Sequence, residues 1–358
     1  MKAGRVLPPQ SSGDVDLLAP VSEVFDTLAA TGMTPRGGAP ALQVAVALSG
    51  GADSAMLAVH AALAAERFPF IALHCFHVHH GLQAEADAWA RHAHRLAAGL
   101  GLPCHSLRVS VEANSGKGLE AAAREARYRG LEALASFTGV SHILLAHHRD
   151  DQTETVLMRL LRGTGPTGLA AMAPRTQRDG LVYLRPWLEV DRSHILAAAR
   201  VYADQTGWAP VDDPTNVQDE YTRGAVRRRL VPVLNERWPA WRTILSRHAR
   251  QARELSALLE EVAAEDFSRL DASYDHTSFS LLAWRSLTPQ RQVLALRHWL
   301  ALHHLRAPTE ARMRELCRQL RQLHALGHDR SMRLKHDGCW IVCHRGRVSL
   351  KNDNDENR

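Results

Sequence analysis

The sequence contains no apolar run long enough to span a membrane. A transmembrane helix needs about 20 consecutive apolar residues, and polar or charged residues interrupt every apolar stretch of this 358-residue chain before that length. The first ten residues also lack the apolar core of a signal peptide. We therefore expect a cytoplasmic protein, and the length indicates two or three domains rather than one.

Cysteine is scarce and scattered. The chain has five cysteines, an odd number without the regular spacing of a disulfide-rich scaffold. The only close pair, Cys339 and Cys343, is separated by three residues instead of the two of a Cys-x-x-Cys motif. We therefore expect reduced thiols, and the sequence gives no sign of a pair of cysteines that carries sulfur.

Lysine is scarcer still, because arginine supplies 40 of the 44 basic residues. The net charge of +6 conceals an asymmetry: residues 1–220 contain 19 Lys and Arg against 23 Asp and Glu, whereas 221–358 contain 25 against 15. A genomic bias toward arginine could account for the total number of arginines. Their concentration in the carboxyl-terminal part is better evidence of a polyanionic partner. Because the planar fork of arginine suits phosphates and base edges, we expect the carboxyl-terminal part to bind a polyanion such as a nucleic acid.

The most informative stretch is Val44–Ser54, which has the pattern of a buried parallel strand, a Ser-Gly-Gly turn and the start of an apolar helix. Asp53 and Ser54 are of the types that cap helix starts. Such a junction directs backbone N–H groups, two serine hydroxyls and the positive end of a helix dipole at one point, which suits a polyphosphate. No lysine follows, as one would in a Walker A loop. The alternative is an ordinary strand-to-helix turn with a serine cap.

Strand and helix patterns then alternate four times. They cover 42–48 and 54–66, 70–78 and 84–98, 104–109 and 118–137, and 142–146 and 150–162. This alternation predicts an α/β fold with a parallel sheet and helices on both faces. Because ligands bind at the carboxyl ends of such strands, we expect the loops at 49–54, 79–83 and 147–151 to converge on one crevice.

The second predicted strand ends in a histidine-rich segment that contains His77, His79 and His80. Alternation places His77 and His79 on the same face of the strand, so a metal site is one interpretation. No carboxylate or cysteine lies at ligand spacing nearby. The other interpretation is a loop that lies beside a bound nucleotide.

A second chemical centre is predicted at Ala146–Glu154, directly after the fourth strand. His147 and the pair Asp150 and Asp151 are expected at the carboxyl end of this strand. Paired carboxylates hold magnesium through oxygen atoms, and a histidine beside them can move protons near neutral pH. The alternative, helix capping by the aspartates, leaves the double histidine unexplained.

Two arginine-rich helical segments complete the candidates. In the first, Arg124 lies four residues from both Glu120 and Tyr128 and therefore adjoins them on a helix, and an ion-paired solvated helix face is an equally good interpretation. The second is the densest basic group of the chain, made of Arg223, Arg227, Arg228 and Arg229. Helical spacing places the first two on one face, which we expect to face the crevice, and we expect the other two to contact a nucleic-acid backbone.

Together these motifs resemble the N-type ATP pyrophosphatases and, more closely, the bacterial tRNA(Ile)-lysidine synthetase family. The resemblance covers about 42–234 through the segments Ser49–Ser54, His79–Gln83, Glu120–Tyr128, Ala146–Glu154, Arg159–Gly165, Arg185–Leu188, Asp213–Asn216 and Tyr221–Arg223. Gly224 stands where the family usually has asparagine. The region 245–350 is similar to the middle domain of the family.

The resemblance implies a fold and a division into domains. The fold is the Rossmann-like PP-loop fold of the adenine nucleotide alpha hydrolases, followed by a mainly helical domain. The implied segments are an N-terminal extension (1–40), the PP-loop catalytic domain (41–236), a helical tRNA-binding domain that closes with short strands (237–350) and a polar tail (351–358).

The resemblance also implies a reaction, in which ATP and Mg²⁺ serve to join free L-lysine to C2 of the first anticodon cytidine of tRNA(Ile) with a CAU anticodon. The implied nucleotide-binding residues are Ser49, Gly50, Gly51, Ala52, Asp53, Ser54, His79 and His80. Asp53 and Asp151 would hold magnesium, and His147 or Asp150 would take a proton from lysine. Arg124 would stabilise the transferred phosphate, and the tRNA-binding residues would be Arg223, Arg227, Arg228 and Arg229.

Two other functions stay open at this point. One is an ATP-dependent tRNA thiolase of the same superfamily, which would use cysteines that carry sulfur. The other is a catalytically silent tRNA-binding protein, which would be expected to lose phosphate-loop or magnesium residues that this chain retains. The sequence does not determine the oligomeric state, for which a homodimer is one option.

Overall fold

The computed structural model describes residues 15–30, 42–79, 81, 85–111, 119–211, 222–323 and 332–352. His80, the motif at 213–216 and Tyr221 lie outside the described residues. The chain divides into two compact units, Met1–Ala252 and Arg253–Arg358. No helix in the described ranges combines the length and the apolar character that a membrane span requires.

The first unit contains a six-stranded sheet with the strand order β3-β2-β1-β4-β6-β5. Its strands are β1 (Leu42–Ala47), β2 (Ile71–His79), β3 (Cys104–Arg108), β4 (His142–Leu144), β5 (Arg175–Arg178) and β6 (Leu181–Leu184). Its helices are α1 (Ala19–Ala30), α2 (Ala52–Ala65), α3 (Ala86–Gly99), α4 (Leu119–Thr138), α5 (Arg149–Leu161), α6 (Pro166–Leu169), α7 (Arg192–Thr206), α8 (Thr222–Ala225) and α9 (Val231–Arg237).

The predicted parallel sheet with helices on both faces is confirmed. β1 pairs in parallel with β2 and with β4, so that Val46 lies opposite Cys75 on one side and Leu144 on the other. Successive β1 residues point to opposite faces. Val44 and Val46 pack with α1, α2 and α7, whereas Ala45 and its neighbours pack with α4. Burial on both faces explains why β1 is an almost continuous apolar run.

The far edge of the sheet differs from the prediction. β5 and β6 form an antiparallel hairpin, joined by Asp179 and Gly180 with φ values of +51° and +78°. Two residues with positive φ match the strand twist in a tight hairpin turn, and Asp-Gly is a favoured pair there. The pattern Arg185–Leu188 alone predicts extended structure, and this prediction is wrong, because β6 ends at Leu184 and a turn follows it.

Helix α1 lies within the predicted N-terminal extension, yet it packs into the core of the first unit. Val21 and Phe25 are fully buried, and the ring of Phe25 contacts that of Phe68 edge-on at 5.7 Å. The indole Nε1 of Trp187 donates a hydrogen bond to the Leu17 carbonyl, at 3.0 Å. The described part of this extension therefore belongs to the hydrophobic core, while the predicted domain boundaries stay predictions.

The second unit combines helices with an antiparallel sheet in the strand order β7-β10-β9-β8. Its strands are β7 (Ser278–Ser280), β8 (Met332–His336), β9 (Cys339–His344) and β10 (Arg347–Asn352). The long helix α10 (Trp241–Ser268) contains the division between the units, and α11 (Leu281–Ser286), α12 (Pro289–Leu302) and α13 (Glu310–Gln322) follow. Trp284, Trp299 and Leu316 lie in its core. Short strands were predicted at the end of this unit, where β8, β9 and β10 lie, but the three-residue strand β7 was not predicted.

We expect Phe25→Ala to destabilise the first unit by about 3–5 kcal/mol, the usual effect of deleting a buried phenyl ring. Phe137→Ala is the matched control, because this ring is 82% exposed on α4; its effect should stay within about 0.5 kcal/mol. Urea denaturation of both variants measures the difference in the free energy of unfolding. Equal stability of the two variants would contradict the packing of α1 in the core.

Candidate active site

The candidate site lies where the strand order reverses. The chain leaves β1 for β2 and β3 on one side of the sheet and then returns to β4 on the other side of β1. At such a switch point the loops after two neighbouring strands separate, and a crevice for ligands opens at their carboxyl ends. The Ser49–Gly51 turn after β1 and the double histidine after β4 therefore lie next to each other.

The Ser-Gly-Gly turn has a fixed internal hydrogen-bonding pattern. The Ser54 hydroxyl donates to the Gly51 carbonyl at 3.1 Å and accepts the Ser49 amide at 3.1 Å, and the hydroxyls of Ser49 and Ser54 are 2.9 Å apart. Gly50 has φ of +95°, a backbone conformation that other residues rarely adopt. The turn is thereby held in one conformation.

The expected cap of α2 was wrong. The helix begins at Ala52, and its N-cap is Gly51, which supplies no capping side chain. Ser54 lies inside the first turn, where its hydroxyl is engaged with the Ser-Gly-Gly turn instead. The N–H groups of a helix's first turn have no partner within the helix. An uncapped N-terminus therefore leaves them available for an anion.

His148 joins the two loops. It is the N-cap of α5, where its Nδ1 accepts the Asp151 amide at 3.4 Å while its own amide donates to Asp151 Oδ2 at 3.3 Å. Its Nε2 lies 3.3 Å from Asp151 Oδ2 and 3.8 Å from Asp53 Oδ2. Burial by itself lowers the pKa of His148, but the nearby carboxylates of Asp53 and Asp151 outweigh it and raise the pKa.

Each of the two carboxylates at His148 also contacts an arginine. Arg192, at the start of α7, donates to both Asp53 oxygens at 3.3 Å, and Arg227 contacts Asp151 at 3.4 Å. Burial raises the pKa of Asp53, but His148 and Arg192 more than offset this, so the pKa is lowered. Asp53 and Asp151 therefore both lie close to His148 Nε2, and each also contacts an arginine that balances its charge.

The remaining two carboxylates of α5 are paired as well. The Nε of Arg242 on α10 donates to Asp150 at 2.9 Å. The buried Glu154 contacts Arg227 at 2.7 Å and Arg223 at 3.3 Å. Burial raises the pKa of Glu154. The carboxylates of α5 are thus surrounded by Arg223, Arg227 and Arg242, which all come from later parts of the chain.

His147 has different surroundings from its neighbour. Its Nδ1 is buried and has no hydrogen-bonding partner among the described residues. Burial, followed by the positive charges of Arg185, Arg127, Arg124 and Arg223, lowers the pKa of His147 well below its ordinary value of 6.5. The imidazole is therefore neutral at pH 7, and the burial and positive charge around it disfavour its protonated form.

Arg124 lies on the exposed side of α4 and stacks over Tyr128. Its guanidinium carbon is 5.2 Å from the ring centroid, and Nη2 donates to the phenol oxygen at 3.2 Å. Arg178 stacks on the same ring at 4.7 Å. Stacking holds a guanidinium in place without consuming its charge, and the charge of Arg124 is one of those that lower the pKa of His147.

The histidines at the end of β2 bind protein groups in the described part of the chain. His79 is buried, with Nε2 2.8 Å from Asp87 and Nδ1 accepting from Arg108 at 3.4 Å. The Nδ1 of His77 lies 2.9 Å from the Leu48 carbonyl oxygen. Within the described ranges, no group of three or more His, Cys, Asp or Glu is arranged to hold a metal ion.

The basic segment after residue 221 is less regular than expected. A π-helix over Val226–Leu230 separates α8 from α9, and such insertions are common at functional sites. Arg223 and Arg227 lie on one side of this segment, since both contact Glu154, whereas Arg228 and Arg229 are exposed.

Four residues of the site were missed by sequence reasoning. His148 and Glu154 were part of the predicted motif, but the residues buried beside Glu154 are mostly polar and give no sign of its burial. Arg192 and Arg242 had no such sign, because they lie 139 and 92 residues from the carboxylates that they contact. Local patterns do not encode pairings over such distances.

We expect His147→Gln to reduce the acid sensitivity of the fold. Because the pKa of His147 is lower in the folded state than in the unfolded chain, the unfolded state binds more protons below pH 6.5, and stability falls as the pH falls. Between pH 6.5 and about one unit lower, the free energy of unfolding of the wild type should fall by up to about 1 kcal/mol more than that of the variant. Urea titrations across this range measure the effect, and an unchanged pH slope in the variant would contradict the depressed pKa.

Comparison with known proteins adds a family to this geometry. Residues 24–234 match the model of a PP-loop domain, and 279–349 match that of the TilS substrate-binding domain. The tRNA(Ile)-lysidine synthase of Bordetella bronchiseptica is 58% identical, over 87% of this chain and 89% of the relative. That of Ralstonia nicotianae is 45% identical, over 79% of this chain and 59% of the relative.

Among solved structures, a U34-tRNA thiolase from Methanococcus maripaludis is similar, with a TM-score of 0.50 and 15% identity over 71% of this chain and 86% of that one. At this identity the likeness concerns the fold alone. The two family models match the two parts of the chain in order, and the Bordetella relative matches across most of its length. The chain therefore belongs to the tRNA(Ile)-lysidine synthase family.

Proposed function

We propose that the protein joins free L-lysine to C2 of the first anticodon cytidine of tRNA(Ile) with a CAU anticodon, giving lysidine at the expense of ATP. The observation that supports this best is the meeting of the Ser-Gly-Gly turn with the His148–Asp53–Asp151 cluster at the switch point of the sheet. One loop suits a polyphosphate, and the other brings carboxylates and a proton acceptor to the same place. The names of the relatives give tRNA(Ile) and the product lysidine.

The first step of the proposed reaction activates the cytidine. Its O2 attacks the α-phosphorus of ATP, the bond to the β-phosphate oxygen breaks, and pyrophosphate leaves. The uncapped amides at Ala52–Ser54 and the turn Ser49–Gly51 would hold the departing phosphates. Arg124 would stabilise charge on the transferred phosphoryl group.

Asp53 and Asp151 fit a magnesium ion. Both carboxylates lie within 4 Å of His148 Nε2, so they approach one point from two helices. Magnesium usually takes one or two carboxylates and fills its other positions with substrate phosphates and water, so two carboxylates are sufficient. When bound, the ion would neutralise charge on the phosphates of ATP.

The second step replaces the activated oxygen. The ε-amine of lysine attacks C2, and AMP leaves with the former O2. Free lysine carries a proton at pH 7, since the reference pKa is about 10.4, and this proton must leave before the attack. The candidates for its removal are His147 and Asp150: the Nδ1 of His147 has no partner among the described residues, but the buried, positively charged surroundings disfavour protonation of this ring. The alternative base, Asp150, is engaged by Arg242.

The other assignments of the sequence stay proposals. Arg228 and Arg229 are exposed and suit contacts with the tRNA backbone, whereas Arg223 and Arg227 would reach the substrate from their position on Glu154. A nucleotide-binding role for His79 would require the ring to act together with Asp87. We also propose that the protein acts in the cytoplasm.

We expect Asp53→Asn to abolish most pyrophosphate release and lysidine formation while tRNA binding is retained. The substitution removes the charge that pairs with Arg192 and that would hold magnesium. Asp179→Asn is the matched control, because this aspartate is ion-paired with Arg178 on an exposed turn of the same unit. Pyrophosphate release and mass analysis of the anticodon nucleoside after incubation with ATP, lysine and tRNA measure both activities.

The outcomes of that experiment are distinct. A mass increase of the cytidine that corresponds to lysine in the wild-type protein supports the proposed function. Sulfur in place of the C2 oxygen would favour the thiolase, and no modified nucleoside in an active tRNA-binding protein would favour the silent alternative. Normal turnover of the Asp53 variant would remove the phosphate loop from the mechanism.

We expect the chemistry to be independent of cysteine. All five thiols are free, and Cys339 and Cys343 lie in β9 of the second unit. The double variant Cys339→Ser, Cys343→Ala should retain lysidine formation within about two-fold, although the buried Cys343 contributes to packing. Circular dichroism checks that the variant is folded. Loss of activity in a folded double variant would favour the thiolase reaction.

A further inference from the structure

A short segment that follows α7 contacts the Ser-Gly-Gly turn. Gly207, with φ of +71°, ends the helix in the left-handed conformation, and residues 208–211 continue without regular secondary structure. The amide of Val211 donates a hydrogen bond to the Gly50 carbonyl at 3.0 Å. We call residues 208–211 the strap, because they join α7 to the turn after β1.

Two aromatic side chains fix the strap to α3. The ring of His92 stacks on the indole of Trp208, with centroids 4.5 Å apart and planes inclined by 20°. The indole Nε1 donates to the His92 carbonyl at 3.4 Å. Arg95 donates to His92 Nδ1 at 3.0 Å, which leaves the ring proton on Nε2, and Nε2 donates to the Ala209 carbonyl at 2.6 Å. Each ring therefore binds the backbone of the other element.

Pro210 carries this constraint to the end of the strap. The proline ring fixes φ near −65° and restricts the residue before it to extended backbone. Ala209, which His92 holds, is thus joined by a stiff link to Val211, which contacts Gly50. The position of the Val211 amide therefore depends on the pair of His92 and Trp208.

The hydrogen bond from Val211 orients the peptide unit between Gly50 and Gly51. The Ser54 hydroxyl binds the Ser49 amide and the Gly51 carbonyl, which belong to other peptide units. In a trans peptide the C=O and N–H groups point in opposite directions. Because the Gly50 carbonyl points to the strap, the Gly51 N–H points away from it, toward the Ser49 hydroxyl at 3.4 Å. That is the side on which the turn suits phosphates.

Two successive glycines make this peptide unit easy to turn over. Glycine adopts positive and negative φ about equally readily, so reversal of the unit has little steric cost. The reversed unit would direct a carbonyl oxygen at the phosphates in place of an N–H group, and anion-binding turns depend on N–H groups that point at the anion. A partner for the Gly50 carbonyl on the far side prevents this reversal.

We propose that His92 and Trp208 are positioning residues for ATP, which act through the strap to keep the Gly51 N–H directed at the phosphates. This inference rests on the proposed function, and it adds residues that act on the turn and not on the reacting atoms. Apparent affinity is divided by the fraction of molecules in the competent conformation. Loss of the strap contact should therefore weaken ATP binding.

The most direct test removes the donor of the strap. Val211→Pro lacks the backbone N–H, whereas the matched control Val211→Ala keeps it and shortens the side chain. The probe is α,β-methylene-ATP with magnesium, in which the bond that the reaction breaks is blocked, titrated calorimetrically into the full chain. Val211→Pro should bind it about 3- to 10-fold more weakly than Val211→Ala, the usual effect of one backbone hydrogen bond.

A second pair of variants tests the support of the strap. His92→Leu removes the donor to the Ala209 carbonyl and should also weaken binding of the analogue about 3- to 10-fold. His92→Gln retains a side-chain N–H donor of similar reach and should restore most of the affinity. The control on the same helix is His94→Leu, because this exposed ring contacts the Ser106 hydroxyl on β3 at 2.7 Å. Its affinity should stay within about two-fold of the wild type.

Steady-state pyrophosphate release separates positioning from folding. KM for ATP should rise in Val211→Pro and His92→Leu by the factor seen with the analogue. The kcat at saturating ATP should stay within about two-fold of the wild type, because bound nucleotide selects the competent orientation of the turn. A purely structural role would lower the melting temperature and leave KM for ATP unchanged.

Two results would overturn the inference. One is equal affinity of the folded Val211→Pro and Val211→Ala variants for the analogue, and the other is a His92→Gln variant that binds no better than His92→Leu. If Val211→Pro fails to fold, the His92 pair decides alone. The analogue assay needs no turnover. A wild-type protein that binds the analogue in this strap-dependent way but forms no lysidine would therefore refute the proposed function and not the role of the strap.

Discussion

The candidate site depends on one imidazole placed between two carboxylates. His148 closes the N-terminus of α5 through Nδ1 and directs Nε2 toward Asp53 and Asp151. Two carboxylates this close repel each other unless a cation or a hydrogen-bond donor lies between them. Arg192 and Arg227 complete the compensation from the outer sides. The Ser49–Gly51 turn and the acidic N-terminus of α5 can therefore lie in one crevice, because Arg192 and Arg227 from later segments of the chain balance the carboxylates.

The parts of this arrangement that the sequence predicted are local. The glycine turn at Ser49–Gly51 and the alternation of strands and helices follow from short-range rules of backbone geometry and burial. His147 was placed correctly at the end of β4 for the same reason. The predicted cap of α2 was wrong, because composition alone cannot show that the Ser54 hydroxyl forms hydrogen bonds with the preceding turn. The partners of the carboxylates were not predicted, because residues such as Arg192, which lies 139 residues from Asp53, are too far away in the sequence for a local pattern to show the contact.

Arginine has two different roles in the two units, which the total charge conceals. In the first unit, Arg223, Arg227 and Arg242 contact carboxylates of α5 and set the electrostatics of the site. In the second unit, Arg333 stacks on an indole in a sheet without acidic residues. A count of basic residues predicts a polyanionic partner for both. Only the contacts show that the arginines of the first group are balanced by carboxylates inside the protein.

In the proposed reaction, this site transfers AMP to the C2 oxygen of the cytidine before lysine attacks. The most direct test follows that oxygen. A tRNA that carries oxygen-18 at C2 of the first anticodon cytidine is incubated with the protein, ATP and lysine, and the released AMP is analysed by mass spectrometry. The account predicts that AMP carries the label. Unlabelled AMP, with the heavy oxygen retained in the nucleoside or released to water, would contradict it.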